Sequence, residues 1–224
     1  MSNHDLTSLP TLQASPPSDA THEVVAGHFS HAPSWALLQT WNNSPDANFA
    51  RGQVHLAQHD ESLWIFAALE DHFIGTRATS DGQMLWELGD CFEIFLGADV
   101  ISPYLEIHLA PNGFSLELAW GEEGNARPNL KLEEVMTSGL LGARRVWSEA
   151  QNKRWFALAQ IPFAGFLAQS QNEFLASFSR YDYSGSGEEF ELQRPILSST
   201  SPHSSGEDNW PSFHCRAEWR TLRR

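Results

Sequence analysis

Glu93, Glu106, His108 and Glu117 each stand inside a run that alternates apolar with polar residues. Such a period of two lines one face of a strand with the groups that carry chemistry. From Cys91 onward Phe92, Ile94 and Leu96 point one way, and Cys91, Glu93 and Phe95 the other. In the next run Leu105, Ile107 and Leu109 oppose Tyr104, Glu106 and His108; then Phe114, Leu116, Leu118 and Trp120 oppose Ser115 and Glu117. An antiparallel meander turned at Pro111-Asn112-Gly113 would gather the four polar groups on one side, beside a rim indole, Trp86. Carboxylates and amides fixed on strands accept paired hydroxyls, and an indole face takes the C–H patch of a polyol ring. Two carboxylates about 5–10 Å apart could instead act as acid and base in glycoside hydrolysis. Neighbouring strands reach that spacing by geometry alone, and solvated carboxylates, or one paired with Arg180, are the commoner outcome. For Trp86 two placements stay open: tucked over the core, or presented as a platform.

Other chemistries find little support. The ten histidines and two cysteines form no His-x-x-x-His or Cys-x-x-Cys spacing suited to zinc, so no metal site is expected. Asp71, Asp81 and Asp90 lack the spacing of a calcium loop and read as turn acids, although they could help a structural calcium ion. No Gly-x-Ser-x-Gly elbow and no phosphate-cradling glycine loop followed by Lys occurs. A formal net charge of −14 argues against a grip on nucleic acid or an anionic membrane. No window approaches the run of about 18 apolar residues that a membrane helix needs. Met1 to Ala20 lacks the pattern of a secretory signal, so a cytoplasmic protein is expected, or an exported one if its leader has been trimmed. Cys91 and Cys215 could pair or stay as free thiols, and the oligomeric state is open.

Many short alternating segments must position these residues. Residues 1–20, rich in Ser, Thr, Pro and Asp, read as a flexible lead-in, and 21–224 as one domain. Strands are expected over His22–Phe29, Gly52–Gln58, Ser62–Glu70, the meander, Leu130–Thr137, Ala143–Trp147, Arg154–Ile161, Phe174–Tyr181 and Glu218–Leu222. Trp35–Trp41 and Phe163–Ala168 read as short helices or turns, and Asp71–Leu85 as a long loop. Such punctuation, with few segments of 3.6 period, predicts an all-β, two-sheet antiparallel β-sandwich with one or two short helices. Nine tryptophans and fourteen phenylalanines exceed what packing usually requires, so some rings can face a ligand.

The order of motifs resembles the family-9 carbohydrate-binding modules and the wider DOMON-like group of sugar- or haem-binding sandwiches. The likeness rests on Leu63-Trp64-Ile65-Phe66-Ala67 with Asp71, Trp86, Asp90-Cys91-Phe92-Glu93-Ile94-Phe95, Tyr104-Leu105-Glu106 and Pro111-Asn112-Gly113. Trp155 with Ile161-Pro162-Phe163, Ser177-Phe178-Ser179-Arg180, and Phe213-His214 with Leu222 complete it. The resemblance implies non-catalytic binding of a saccharide, clasped between Trp86 and Trp210. Glu93, Glu106, His108 and Arg180 would take its hydroxyls, with no cofactor. Trp210, set in a polar loop, has little core to bury into. Glu106 stands where the resemblance would place an arginine. Haem is the other ligand the wider group implies, with Met84, His108, Met136 and His214 as candidate axial ligands, and a structural or interaction sandwich that has lost its ligand is the third reading.

Overall fold

A computed structural model describes residues 6–122, 124, 130–164, 172–183, 194–204 and 210–224. The strands are β1 (Thr7–Ser8), β2 (Ser34–Leu37), β3 (Gly52–His59), β4 (Ser62–Glu70), β5 (Cys91–Gly97), β6 (Tyr104–Leu109) and β7 (Ser115–Trp120). They continue as β8 (Met136–Thr137), β9 (Ala143–Glu149), β10 (Arg154–Pro162), β11 (Glu173–Asp182), β12 (Ile196–Ser199) and β13 (Arg220–Arg223), with one α-helix among the described residues, α1 (His22–His28). They make two sheets. The larger runs β1-β13-β11-β5-β6-β7-β8 with β12 also on β11; the smaller runs β2-β3-β4-β10-β9. Apart from the parallel β1–β13 contact, strand pairs within the sheets are antiparallel, as expected of a β-sandwich.

Three apolar layers hold it. Phe92, Ile94, Leu96, Leu105, Ile107 and Leu109 from the larger sheet meet Val54, Leu56, Ile65, Ala67, Trp155 and Ala157 from the smaller one. On the outer side of the smaller sheet, Val25 and Phe29 of α1 cover Trp64, Phe66 and Phe156. On the outer side of the larger sheet, Cys91, Phe95, Tyr104, Leu116, Leu118 and Trp120 lie under Leu85, Phe213 and Trp219. No helix among the described residues is long and apolar enough to cross a membrane.

Several local expectations are corrected. His22–Phe29 is helical, because Val25 and Phe29 are four apart and both can reach the sheet below. Trp35 sits on a strand, β2, instead of a helix or turn. Leu130–Thr137 is mostly a 3-10 turn, Leu132–Glu134, before the two-residue β8. Residues 6–20 differ from a mobile lead-in: Thr7 and Ser8 pair with Leu222 and Arg223, and Leu9 and Leu12 are buried. The turn expected at Phe163–Ala168 runs into residues outside those described, and the loop Ser184–Gly187 lies wholly outside them.

Candidate functional site

The register of the meander places the chemistry. Glu93 lies opposite His108, and Phe95 opposite Glu106, across β5 and β6. Alternation then carries Cys91, Glu93, Glu106 and His108 to the outer face of the larger sheet, away from the inter-sheet core. On the other side of β5, Glu93 faces Ser179 and Cys91 faces Tyr181 of β11, which brings Tyr181 to the same face. Trp86 rides on a 3-10 turn, Leu85–Glu87, at the end of the long loop. The loop is clamped: Asp90 accepts from the Gly75 amide at 2.6 Å and the Tyr183 amide at 2.8 Å, and the Tyr183 hydroxyl donates to the Trp86 carbonyl.

A cleft of about 450 Å³ opens over this face, lined by Trp86, Glu93, Glu106 and Trp210 together with Trp120, Tyr181, Pro211, Phe213 and His214. Four of the six residues singled out in the sequence therefore meet in one place. Trp86 and Trp210 are both partly buried. The Trp86 ring sits 5.1 Å from that of His108, and the Arg194 guanidinium lies 5.0 Å over the Trp210 ring. Neither tryptophan is sunk in the interior.

His108 lies beneath this lining, fully buried. Its Nε2 is 2.6 Å from Glu106 Oε1, and its Nδ1 is 3.4 Å from Glu93 Oε1 and 3.5 Å from Cys91 Sγ. Glu106 Oε2 accepts from the Trp120 indole at 2.6 Å and lies 3.7 Å from His214 Nδ1, which the Tyr104 hydroxyl meets at 2.7 Å. Glu93 Oε2 is buried with no hydrogen-bond partner among the described residues. Burial pushes Glu93 up to about 8, with Glu106 adding to the rise and His108 opposing it. Burial also acts to raise Glu106, but His214, His108 and Trp120 outweigh it and hold that carboxyl below its usual range. Burial acts to lower His108, and the two glutamates reverse this and raise it. An ionised Glu106 accepts only, so His108 Nε2 carries the hydrogen and Nδ1 looks toward Glu93 and Cys91. Glu93, His108 and Glu106 then titrate as a group.

Arg180 is not in this cleft. It lies opposite Phe92 on β5, which turns it toward the inter-sheet side, whereas Glu93 faces outward. There it is fully buried, donating to Asp71 Oδ2 at 2.8 Å and to the Glu70 carbonyl, with Asp182 Oδ2 3.3 Å away. It does not line the cleft. Glu117 is also on the inner side, opposite Ile107, and its Oε2 accepts from the Leu140 amide at 2.6 Å. Asp71 and Asp90 stand with Asp182 around Arg180, while Asp81 pairs with Arg144 at 2.7 Å. Cys91 and Cys215 are free thiols. Met84 and Met136 are exposed.

Sequence reasoning did not mark Trp120, Tyr181 or Cys91 for the cleft or its floor. Alternation puts Trp120 on the face opposite Glu117 and Ser115, and in the structure that face is the cleft side. Tyr181 could have been found from its even spacing from Ser177 and Ser179 once β11 was known to pair with β5.

No protein-family model matches the chain, and no curated protein matches it. Solved structures do. A protein of Bacteroides uniformis described as "a putative carbohydrate-binding protein" superposes with a TM-score of 0.68 at 20% identity, covering 97% of this chain and 98% of that one. A family-9 carbohydrate-binding module of Caldicellulosiruptor kristjanssonii bound to glucose gives 0.59 at 9% identity, covering 97% and 94%. A structure of such a module from the same organism bound to cellotriose gives 0.56 at 10%, covering 97% and 91%. With its two-sheet sandwich and the cleft on the outer face of the larger sheet, this chain has the fold of the family-9 carbohydrate-binding modules.

Proposed function

We propose that this chain is a non-catalytic carbohydrate-binding domain whose cleft over β5 and β6 holds a sugar ring. The observation that carries the reading is convergence. Trp86 on the loop before β5, Glu93 and Glu106 on β5 and β6, and Trp210 from near the far end of the chain all line one open cleft. Aromatic faces at its margin suit the C–H side of a pyranose. Glu106, kept ionised by its neighbours, is an acceptor for hydroxyls, and Glu93 offers a buried oxygen that the protein leaves unpartnered. Glu93 and Glu106 converge on one imidazole from adjacent strands, a use of two acids that suits binding better than acid–base attack from opposite faces of a sugar. The glucose and cellotriose complexes of the structural neighbours name the first ligands to try.

The test is isothermal titration of the protein with glucose and cellotriose. Saturable binding is expected, with Trp86→Ala and Trp210→Ala each losing about tenfold or more in affinity, about 1.4 kcal/mol, while circular dichroism stays unchanged. Cellotriose should be recovered intact after prolonged incubation. Full affinity in both variants would remove the cleft from consideration, and a Soret band on the purified protein would point to haem instead.

A further inference from the structure

We propose that Cys91, Glu93 and His108 form a zinc site at the floor of the cleft. The inference does not depend on a sugar being bound above it. The Cys91 sulfur, a Glu93 carboxylate oxygen and His108 Nδ1 all lie within 4.8 Å of one another, and all three residues are buried. The separations from His108 Nδ1 are 3.5 Å to the Cys91 sulfur and 3.4 Å to Glu93 Oε1. With zinc at about 2.3 Å from sulfur and about 2.0–2.1 Å from nitrogen or oxygen, a tetrahedron has edges of about 3.5 Å for S···N and about 3.3 Å for N···O. The two separations from His108 thus match edges of a zinc tetrahedron, and the third lies within 4.8 Å.

Three further features favour a metal over a chance hydrogen-bonded cluster. First, Glu106 binds the far nitrogen of His108 at 2.6 Å. That is the carboxylate–histidine pairing which directs the other nitrogen's lone pair at a metal. Second, the Glu93 carboxylate is buried and its Oε2 has no hydrogen-bond partner, so the group is under-satisfied, and a cation bound by the carboxylate would offset the cost of burying it. Third, among the described residues no lysine or arginine pairs with Glu93 or Glu106; only His108 and His214 do. The other buried acid group, Asp71, Asp90 and Asp182, already holds the cation of Arg180. A thiolate and a carboxylate together neutralise a dication, and the sulfur and imidazole select zinc over calcium or magnesium. Three protein ligands leave one of the four positions to come from the cleft that Glu93 lines.

Cobalt(II), which takes zinc's tetrahedral sites and is coloured there, gives the test. The full chain is stripped with a chelator and titrated with cobalt. One equivalent should bind, with strong visible bands and a near-ultraviolet thiolate-to-cobalt band, and equimolar zinc should bleach both. Cys91→Ala should abolish the thiolate band. Glu93→Gln should weaken binding, and Glu106→Gln, which reaches the metal only through His108, should cost about 10–100-fold in metal affinity. His22→Gln, which dismantles the surface group of His22, Glu23 and Glu149, should change nothing. Folded wild-type protein that binds no cobalt, or binds it without the thiolate band, overturns the proposal even if a variant fails to fold.

Discussion

Strands β5 and β11 separate two buried sets of ionisable residues, and the difference between the sets decides what each can do. On the inner side Arg180 sits among Asp71 and Asp182, with Asp90 completing the group. Removing Arg180 would leave buried acids without a counter-charge, so the set is structural. Asp182 is its weakest point: burial first, with Asp71 adding to it, pushes its carboxyl up to about 6 against the opposing pull of Arg180 and His72. A folded-state value above the unfolded one means that the ionised form is disfavoured by folding. The penalty is therefore fully present above pH ~6 and fades as the pH falls toward the unfolded value of about 4. Asp182→Asn should accordingly raise the urea midpoint over wild type above pH 6, and the gain should vanish near pH 4. A gain that grew toward acid pH would contradict this assignment. On the outer side His108 alone stands between Glu93 and Glu106, and that set faces a cleft.

At the level of elements, the meander shows how far alternation carries and where it stops. The parity of β5 and β6 was legible from Phe92, Ile94 and Leu96 and from Leu105, Ile107 and Leu109, all of which reached the inter-sheet core. β7 was legible as a strand but not in its facing. Ser115 pairs with Leu109, so the turn through Ala110 and Phe114 brings Glu117 onto the core side and Leu116, Leu118 and Trp120 onto the cleft side. One residue of turn length flips a whole strand, and both faces here are covered, so apolar character alone could not choose. The loop bearing Trp86 has its own requirement. Gly89 has φ +146°, and a Cβ there would lie 2.4 Å from the Gly75 carbonyl oxygen. Gly89→Ala should therefore push the Thr76 and Gly89 segments apart, at a cost of about 1–3 kcal/mol. It should also weaken sugar binding by displacing Trp86, with no change in the identity of any cleft residue. Thermal unfolding and titration of the same variant would separate the two effects.

At the level of the whole molecule, the first described residues act as a strap. Thr7 and Ser8 extend the larger sheet beside β13, and Thr11 bridges to Gln58 of the smaller one. The Leu9 amide donates to Arg223 and the Leu12 amide to Gln58. Burial of two leucines contributes about 1.5–3 kcal/mol each, partly offset by the cost of ordering the segment. Deleting residues 1–12 should therefore lower stability by about 2–4 kcal/mol in urea unfolding, whereas a mobile leader would be lost at no cost. The Ser, Thr and Pro content of this segment hid its role, because two isolated leucines make no period and their partners lie at Gln58 and the far end of the chain. What the sequence determined by itself was the class: short alternating strands, turn residues between them, and a glutamate on each central strand of the meander, all set by local rules with a period of two. What only the tertiary structure decided was company. Side chains on separate strands become neighbours through register, which depends on pairings made across the whole chain, so Cys91 and His108, 17 residues apart, met Glu93 in a spacing that no linear motif records. The same long-range pairing sent Arg180 to the opposite face.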